Sequence, residues 1–253
     1  MIGGTGPVVR IYPDIHSLSR AAADTFQLLA SNAVSERGRF TAALSGGGTP
    51  GELYSLLAEK PYCDQIEWTH AFLFWVDERC VPRAHEDSNY RLVSELLLSH
   101  IAIPGGNVHR IKAEYGAERA AEDYERDLRA FFGKNGFPAM DLVILGVGED
   151  GHTASLFPGF PQVGETDRLA VPVFPGKERH DRVTLTLPVI DNAGQVLFLA
   201  AGTAKRNVIR SILAEGNPGG LPAGLVRPVM GNSMWYLDQD ATGSCTDGGN
   251  DLE

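Results

Sequence analysis

The chain has 253 residues, 43% of them hydrophobic and 21% charged, enough apolar material to bury a full core as one large α/β domain or two small ones. A net charge of −10, from 22 basic and 32 acidic residues, excludes a broad nucleic-acid surface, because gripping a phosphate backbone takes an extended basic face. No run approaches the roughly 20 apolar residues of a membrane-spanning helix, and MIGGTGPVVR lacks the basic-then-apolar layout of a secretory signal, so a soluble cytoplasmic protein is expected.

Cys63, Cys80 and Cys245 show neither metal-ligand spacing nor an even disulfide framework and read as unpaired thiols of a reducing compartment. A small anionic substrate remains compatible with the charge. It would be captured by a few local donors against an unfavourable global field, so one compact anion site is sought.

In chain order, an extended run at Val8 to Tyr12 precedes a helical pattern at Ser17 to Ala33. The next strand, Phe40 to Leu44, runs into Ser45, Gly46, Gly47, Gly48, Thr49 and Pro50 before a helix over Gly51 to Ala58. A strand turning through three glycines into a helix capped by Thr49 and Pro50 exposes consecutive N–H groups at the positive end of the helix dipole, an anion cradle. The spacing and lysine of a Walker A loop are absent. A ligand-free tight turn is the plainer reading, and the three glycines with Thr-Pro favour phosphate.

Ala71 to Val76 is the third strand, and Asp77, Glu78 and Arg79 follow it directly. Three charges after a buried strand are expected at the sheet rim, where open α/β sheets place ligands, although such triplets are often only solvated loops. Helices follow over Ser88 to Ser99, capped by Ser88, and over Ala117 to Phe132.

The strand Leu142 to Leu145 leads into the sharpest motif, which runs unbroken from Gly146 to Gly159. Gly146, Gly148 and Gly151 match the dinucleotide fingerprint G-x-G-x-x-G, but the context fails. Pro158-Gly159 ends any helix after one or two turns, and the acids of the ribose-binding window, Glu165 and Asp167, precede the next extended run. The glycines read instead as a device holding His152 at the sheet rim, with Asp150 two residues earlier to fix its tautomer. His16, His70, His85, His100, His109 and His180 have no such setting and read as surface residues.

Val183 to Leu187, opened by Arg182, and Val196 to Ala200 complete the strands, and Thr203 to Leu213 the helices, with Thr203 as cap. Lys205 lies in that helix's first turn, where a cation opposes the dipole unless an anion compensates, so it is a candidate phosphate ligand. Read alone, Arg182 and Lys205 are solvated surface charges. Strands alternating with helices predict a mostly parallel, Rossmann-like α/β sheet flanked by helices. Residues 1–238 are expected to form a single catalytic domain, and the small, polar, acidic segment 239–253 a disordered tail.

Ser45-Gly46-Gly47-Gly48-Thr49-Pro50, Trp75-Val76-Asp77-Glu78-Arg79 with Ser88-Asn89-Tyr90, and Gly146 to Gly159 with its Asp-Gly-His-Thr-Ala-Ser-Leu-Phe-Pro-Gly run resemble, in this order, the 6-phosphogluconolactonase family. Arg182-Val183-Thr184, Gly202-Thr203-Ala204-Lys205, Leu221-Pro222-Ala223 and Trp235 extend the likeness to about residues 8–238. The resemblance implies a fold shared with glucosamine-6-phosphate deaminases and a hydrolase needing neither metal nor cofactor. It places the general base on His152, an active-site acid and arginine on Asp77 and Arg79, and phosphate contacts on Ser45 to Gly48, Arg182 and Lys205. The implied partner is a sugar-phosphate lactone; no nucleic acid, membrane or obligate protein partner is expected.

Three other readings compete. Glucosamine-6-phosphate deaminases share the glycine loop and a Gly-x-Gly-x-Asp-Gly-His segment but continue Ile-Ala-Phe-Asn-Glu-Pro, and Phe157 stands at that glutamate position. Deamination with isomerisation needs several titratable groups, whereas opening a lactone needs one water and one base. A serine esterase would use Ser45 in a loose nucleophile elbow served by His152. A sugar-phosphate sensor without turnover would leave His152, Asp77 and Arg79 without purpose. The expected chemistry is attack of water, activated by His152, on C1, with Arg79 near the oxyanion and Asp77 or Asp150 positioning His152 or Arg79.

Overall fold

Apolar runs without polar alternation become strands buried on both faces, as parallel sheets require. The structure, a computed structural model, describes residues 7–176, 179–214, 216–230 and 232–243. Its elements are β1 (Val8–Tyr12), α1 (Ile15–Arg37), β2 (Phe40–Leu44), α2 (Gly48–Leu57), α3 (Tyr62–Gln65), β3 (Ala71–Trp75), β4 (Asp77–Arg79), α4 (Asn89–Leu96), β5 (Val108–His109) and α5 (Ala117–Phe132). They continue with β6 (Leu142–Leu145), β7 (Ala170–Val173), β8 (Arg182–Leu185), α6 (Leu187–Asp191), β9 (Gln195–Ala200), α7 (Arg206–Leu213), β10 (Asn232–Asp238) and α8 (Gln239–Thr242).

Seven strands form one parallel sheet in the order β1-β10-β9-β6-β2-β3-β5. Every residue of β2 and β6 is buried, and α1 packs along β1, β10 and β2. From β2 the chain builds outward through β3 and β5, and from β6 through β9 and β10 in the opposite direction. The gap between β2 and β6 is therefore the topological switch point, where the loops leaving the strands' carboxyl ends diverge and open a crevice.

A second, antiparallel sheet, β4-β8-β7, was not foreseen. The run Val183 to Leu187, expected to join the parallel sheet, is strand only as far as Leu185 and belongs to this small sheet; Thr186 then leads into α6, with Pro188 in its first turn. One residue joins the two sheets: the Val76 N–H donates to Leu44 O at 2.9 Å, and its carbonyl accepts from Leu185 N at 2.7 Å. The small sheet lies against α5, whose Tyr124 hydroxyl donates to Trp75 O at 2.8 Å and accepts from Trp75 N at 2.9 Å.

Helix limits differ from expectation where the caps differ. Asp14 accepts from Ser17 N at 2.7 Å and Gly38 closes the other end at φ 71°, so α1 outruns the expected Ser17 to Ala33 at both ends. α2 starts at Gly48, which puts Thr49 and Pro50 inside its first turn rather than at a cap. Ser88 caps α4 as expected, accepting from Arg91 N at 3.1 Å. Thr203 makes no cap; Thr203–Lys205 is a 3-10 turn that leads into α7.

Residues 239–242, expected within the disordered tail, form α8 instead. Asp238 accepts from Ala241 N at 2.8 Å and from Gly202 N through both carboxylate oxygens at 3.0 Å, fixing α8 with Ala241 buried; residues 244–253 lie outside the described ones.

Candidate active site

Four neighbouring strands, β9, β6, β2 and β3, deliver the loops that meet at the switch point. After β2, the Tyr54 hydroxyl donates to Ser45 O at 2.7 Å and pins the start of the glycine loop. Gly46 faces Asn89 so closely that a Cβ would lie 1.8 Å from its Oδ1, and Gly47 adopts φ 104°, a region that disfavours side chains. Gly47 offers no side chain to cap α2, so the first-turn N–H groups of Gly48 and Thr49 point into the crevice uncapped.

After β6, Gly146 to Gly159 forms turns and no helix, which removes what was left of the dinucleotide reading. The Gly148 N–H donates to His152 O at 2.8 Å, closing a tight loop that turns through Gly151 at φ 84°. Asp150 Oδ1 accepts from His152 Nδ1 at 2.5 Å and from the His152 backbone N–H at 3.1 Å. A carboxylate can only accept, so the proton sits on Nδ1 and Nε2 keeps its lone pair. Partial burial opposes charge on Asp150, but the hydrogen bond and charge of His152 outweigh it and hold the carboxyl below its usual range. Phe157, buried, lies beneath the imidazole with ring centres 4.7 Å apart.

Asp77, Glu78 and Arg79, expected at the sheet rim where ligands bind, form the short strand β4 there; Asp77 and Arg79 line the cavity, and Asp77 and Glu78 are only 4% and 3% accessible, not a solvated loop. Burial is tolerated because the carboxylates are saturated with donors. Glu78 accepts from the N–H groups of Arg79, Asn89 and Tyr90, each at 2.8 Å, and from Ser88 Oγ at 3.0 Å, so it anchors the start of α4. Burial pushes its carboxyl up, and those backbone donors oppose the rise.

Asp77 accepts from Ser155 Oγ at 2.6 Å and Asn89 Nδ2 at 3.1 Å and faces Arg182 Nη1 at 3.9 Å. The duties left open between the two acids thus separate in space: Asp150 holds His152, and Asp77 holds Arg182. Arg79 is held by neither, its Nη1 donating to Asp87 O at 2.6 Å. Burial pulls the Arg182 guanidinium below its ordinary value, and the charge of Asp77 opposes that.

All these loops line one cavity of about 230 Å³, bounded by Ser45 to Pro50, Asp77, Arg79, Gly148, His152, Arg182 and Lys205 among others. Of the sequence-derived candidates, Asp150 alone stays off the wall, reaching the cavity through His152. Ser45 Oγ, Arg79 Nε and Arg182 Nε are buried without a hydrogen-bond partner, three donors from residues of one wall. Among the described residues no carboxylate lies within 4.0 Å of the Lys205 ammonium. The cavity is therefore lined by basic residues and the glycine loop together with an oriented imidazole.

Sequence reasoning gave no role to Asn89, Ser155, Phe157 or Arg179. Asn89 and Ser155 hold Asp77, while Arg179 and Arg182 lie over the Phe157 ring at 5.4 and 5.5 Å. Only their places inside the motifs marked the first three, since no spacing rule links positions 77, 89 and 155. The reading of the remaining histidines as surface residues needs correction at His109, while His180 is exposed as expected and His85 partly so. His109 is half-buried, stacked on Phe74 at 4.5 Å and bonded to Asp127 at 2.9 Å, and His85 and His180 converge on Asp87.

The family described as glucosamine-6-phosphate isomerases/6-phosphogluconolactonase matches residues 13–235. A 6-phosphogluconolactonase of Synechocystis is 41% identical over 215 residues, 83% of this chain and 87% of that one, and the human enzyme of that name is 41% identical over 210 residues, 81% and 80%. 6-Phosphogluconolactonase 3, chloroplastic, of Arabidopsis thaliana is 40% identical over 217 residues, 82% of this chain, which spans 66% of that protein's length. Among solved structures, 6-phosphogluconolactonase of Thermotoga maritima superposes with a TM-score of 0.79 at 32% identity, covering 91% of this chain and 99% of that one. A monomeric glucosamine-6-phosphate deaminase, at 18% identity and a TM-score of 0.76 over 93% of this chain and 99% of that one, shares the fold. With its glycine loop, its Asp150–His152 pair and a match over residues 13–235, the chain belongs to the glucosamine-6-phosphate isomerase/6-phosphogluconolactonase family.

Proposed function

We infer that this protein hydrolyses 6-phosphoglucono-δ-lactone to 6-phosphogluconate, the second step of the oxidative pentose phosphate pathway. The observation that carries the reading is that one cavity is lined both by an imidazole with a free Nε2 and by the glycine loop, Arg79, Arg182 and Lys205. The phosphate rests on the glycine loop with Lys205 and Arg182. Neutral His152 takes a proton from water as the water oxygen bonds to C1; the C1–O5 bond then breaks, and the imidazolium returns the proton to O5. Arg79, on the cavity lining, supplies positive charge to the developing oxyanion. Asp150 positions His152, and Asp77 positions Arg182.

Two observations weigh against the competing enzymes. Phe157 packs on His152 where the deaminase chemistry needs a carboxylate, so the second proton-transfer group is missing. Ser45 Oγ has no hydrogen bond to His152 or to any other described group, so it lacks the activating base a nucleophile requires.

We place the enzyme in the cytoplasm and take the chain through α8 as one catalytic domain working without an obligate protein partner. Cys63 and Cys80 are unpaired, burial with help from Asp181 and Glu78 pushes the Cys80 thiol up to about 12, and no described helix is long and apolar enough to cross a membrane.

The test is a coupled assay in which glucose-6-phosphate dehydrogenase generates the lactone and its disappearance is followed with this protein and with His152→Ala. Loss of about 100- to 10,000-fold in turnover, with 6-phosphogluconate binding retained, is expected. A near-normal rate in the variant removes the proposed base, and ammonia release from glucosamine 6-phosphate would overturn the choice of reaction.

A further inference from the structure

We propose that His85, Asp87 and His180 form a binding site for a divalent first-row transition-metal ion of the zinc or nickel kind, apart from the lactone-opening chemistry. Their ligating atoms all lie within 4.8 Å of one another. Both imidazoles converge on a single oxygen, Asp87 Oδ2, with His180 Nε2 at 3.0 Å and His85 Nδ1 at 3.7 Å. Tetrahedral coordination with bonds of 2.0–2.2 Å sets donor atoms about 3.3–3.6 Å apart, so two of the separations already bracket the required value. The third closes by a rotation of about 1 Å at the exposed His180 ring.

The chemistry of the donors selects the ion. Two imidazoles and one carboxylate suit zinc, nickel or cobalt, whereas calcium and magnesium take oxygen ligands. Asp87 N donates to His85 Nδ1 at 3.1 Å, so that nitrogen is unprotonated, and an ion binds there by displacing this one backbone contact. A fourth position stays open to water.

The scaffold is fixed before the ion arrives. A turn holds the loop through Ser88 N to His85 O at 3.0 Å, and Arg79 Nη1 takes the Asp87 carbonyl at 2.6 Å, so the nearby guanidinium is engaged with the backbone and leaves the carboxylate free. His180 comes from a different segment, two residues before Arg182. An ion here would tie together two segments that each carry a cavity-lining arginine, Arg79 and Arg182.

The experiment uses tag-free, chelator-treated full chain titrated calorimetrically with ZnCl2 and NiCl2, and with CoCl2 for its ligand-field absorption. One ion per chain is expected, with affinity falling at least about tenfold in His85→Ala and in His180→Ala. The metal-free lactonase rate of both variants should match that of the unaltered protein. At an ion concentration 100 times the dissociation constant the melting temperature should rise by about 5 °C or more, and the rise should vanish in the double variant. Absence of saturable binding, or full binding in the double variant, overturns the proposal; neither result touches the lactonase reading.

Discussion

A single oxygen of Asp150, Oδ1, receives both the ring Nδ1–H and the backbone N–H of His152, at 2.5 and 3.1 Å. The same contact fixes where the ring points and which nitrogen is bare, so Asp150→Asn should damage turnover more than binding. Losing a hydrogen bond to a charged acceptor costs about 1.5–3 kcal/mol, which corresponds to roughly a 10- to 150-fold fall in kcat. Steady-state rates and calorimetric 6-phosphogluconate affinity of the variant check this; an unchanged kcat would separate Asp150 from the base.

Gly148→Ala tests the same arrangement by space instead of charge. A Cβ there would lie 2.0 Å from His152 Nδ1, 2.2 Å from Cε1 and 2.6 Å from Asp150 Oδ1, so the ring must leave its place. Displacing a reacting group by about 1 Å costs on the order of 100-fold. Turnover should fall by about that factor while 6-phosphogluconate still binds, read by single-turnover kinetics and calorimetry.

Lys205→Ala should do the reverse. With no carboxylate within 4.0 Å among the described residues, the ammonium contributes little to the fold, and its removal should leave the melting temperature almost unchanged. A lost charge-assisted contact to phosphate should weaken 6-phosphogluconate binding by roughly 10- to 150-fold, and the deficit should shrink at high salt. Normal affinity would show that this lysine is no ligand.

Stability should carry a pH signature from Asp191, at the end of α6. Burial pushes its carboxyl from 3.8 up to about 6, against the N–H of Arg227 at 2.7 Å and that residue's charge. An acid whose folded value lies above its unfolded one holds its proton longer in the folded state, so stability is lost as pH rises from about 4 to about 6. Asp191→Asn keeps an acceptor for Arg227 without the charge. Relative to the unaltered protein it should gain about 1–2 kcal/mol at pH 7, a value halved for the group's partial solvent access, and nothing at pH 4. Urea unfolding at the two pH values decides it.

Much of this arrangement was legible from residues alone. The buried runs of β2 and β6 and the helix α5 were read with correct limits, because continuous apolar stretches and long periodic ones leave few alternatives. The glycine loop and His152 were found because glycine spacing betrays backbone needs. What stayed hidden depends on distant partners. β7 carries Pro172, which argues against a strand until β8 supplies its ladder, and β5 is only two residues long. Asp77 and Glu78 looked solvent-facing because nothing local announces that Ser155, Asn89 and the start of α4 will satisfy them. The meeting of His85 with His180 likewise exists only after two remote segments come together.

Val76 belongs to two ladders at once, giving its N–H to the strand that ends in the glycine loop and its carbonyl to the strand that begins with Arg182. The separation of cradle and arginine is thus tied to two backbone hydrogen bonds of a single residue. Both jaws of the proposed phosphate grip hang on the two sides of one residue, so any shift of Val76 would carry the cradle and the arginine along with it and disturb the grip as a unit.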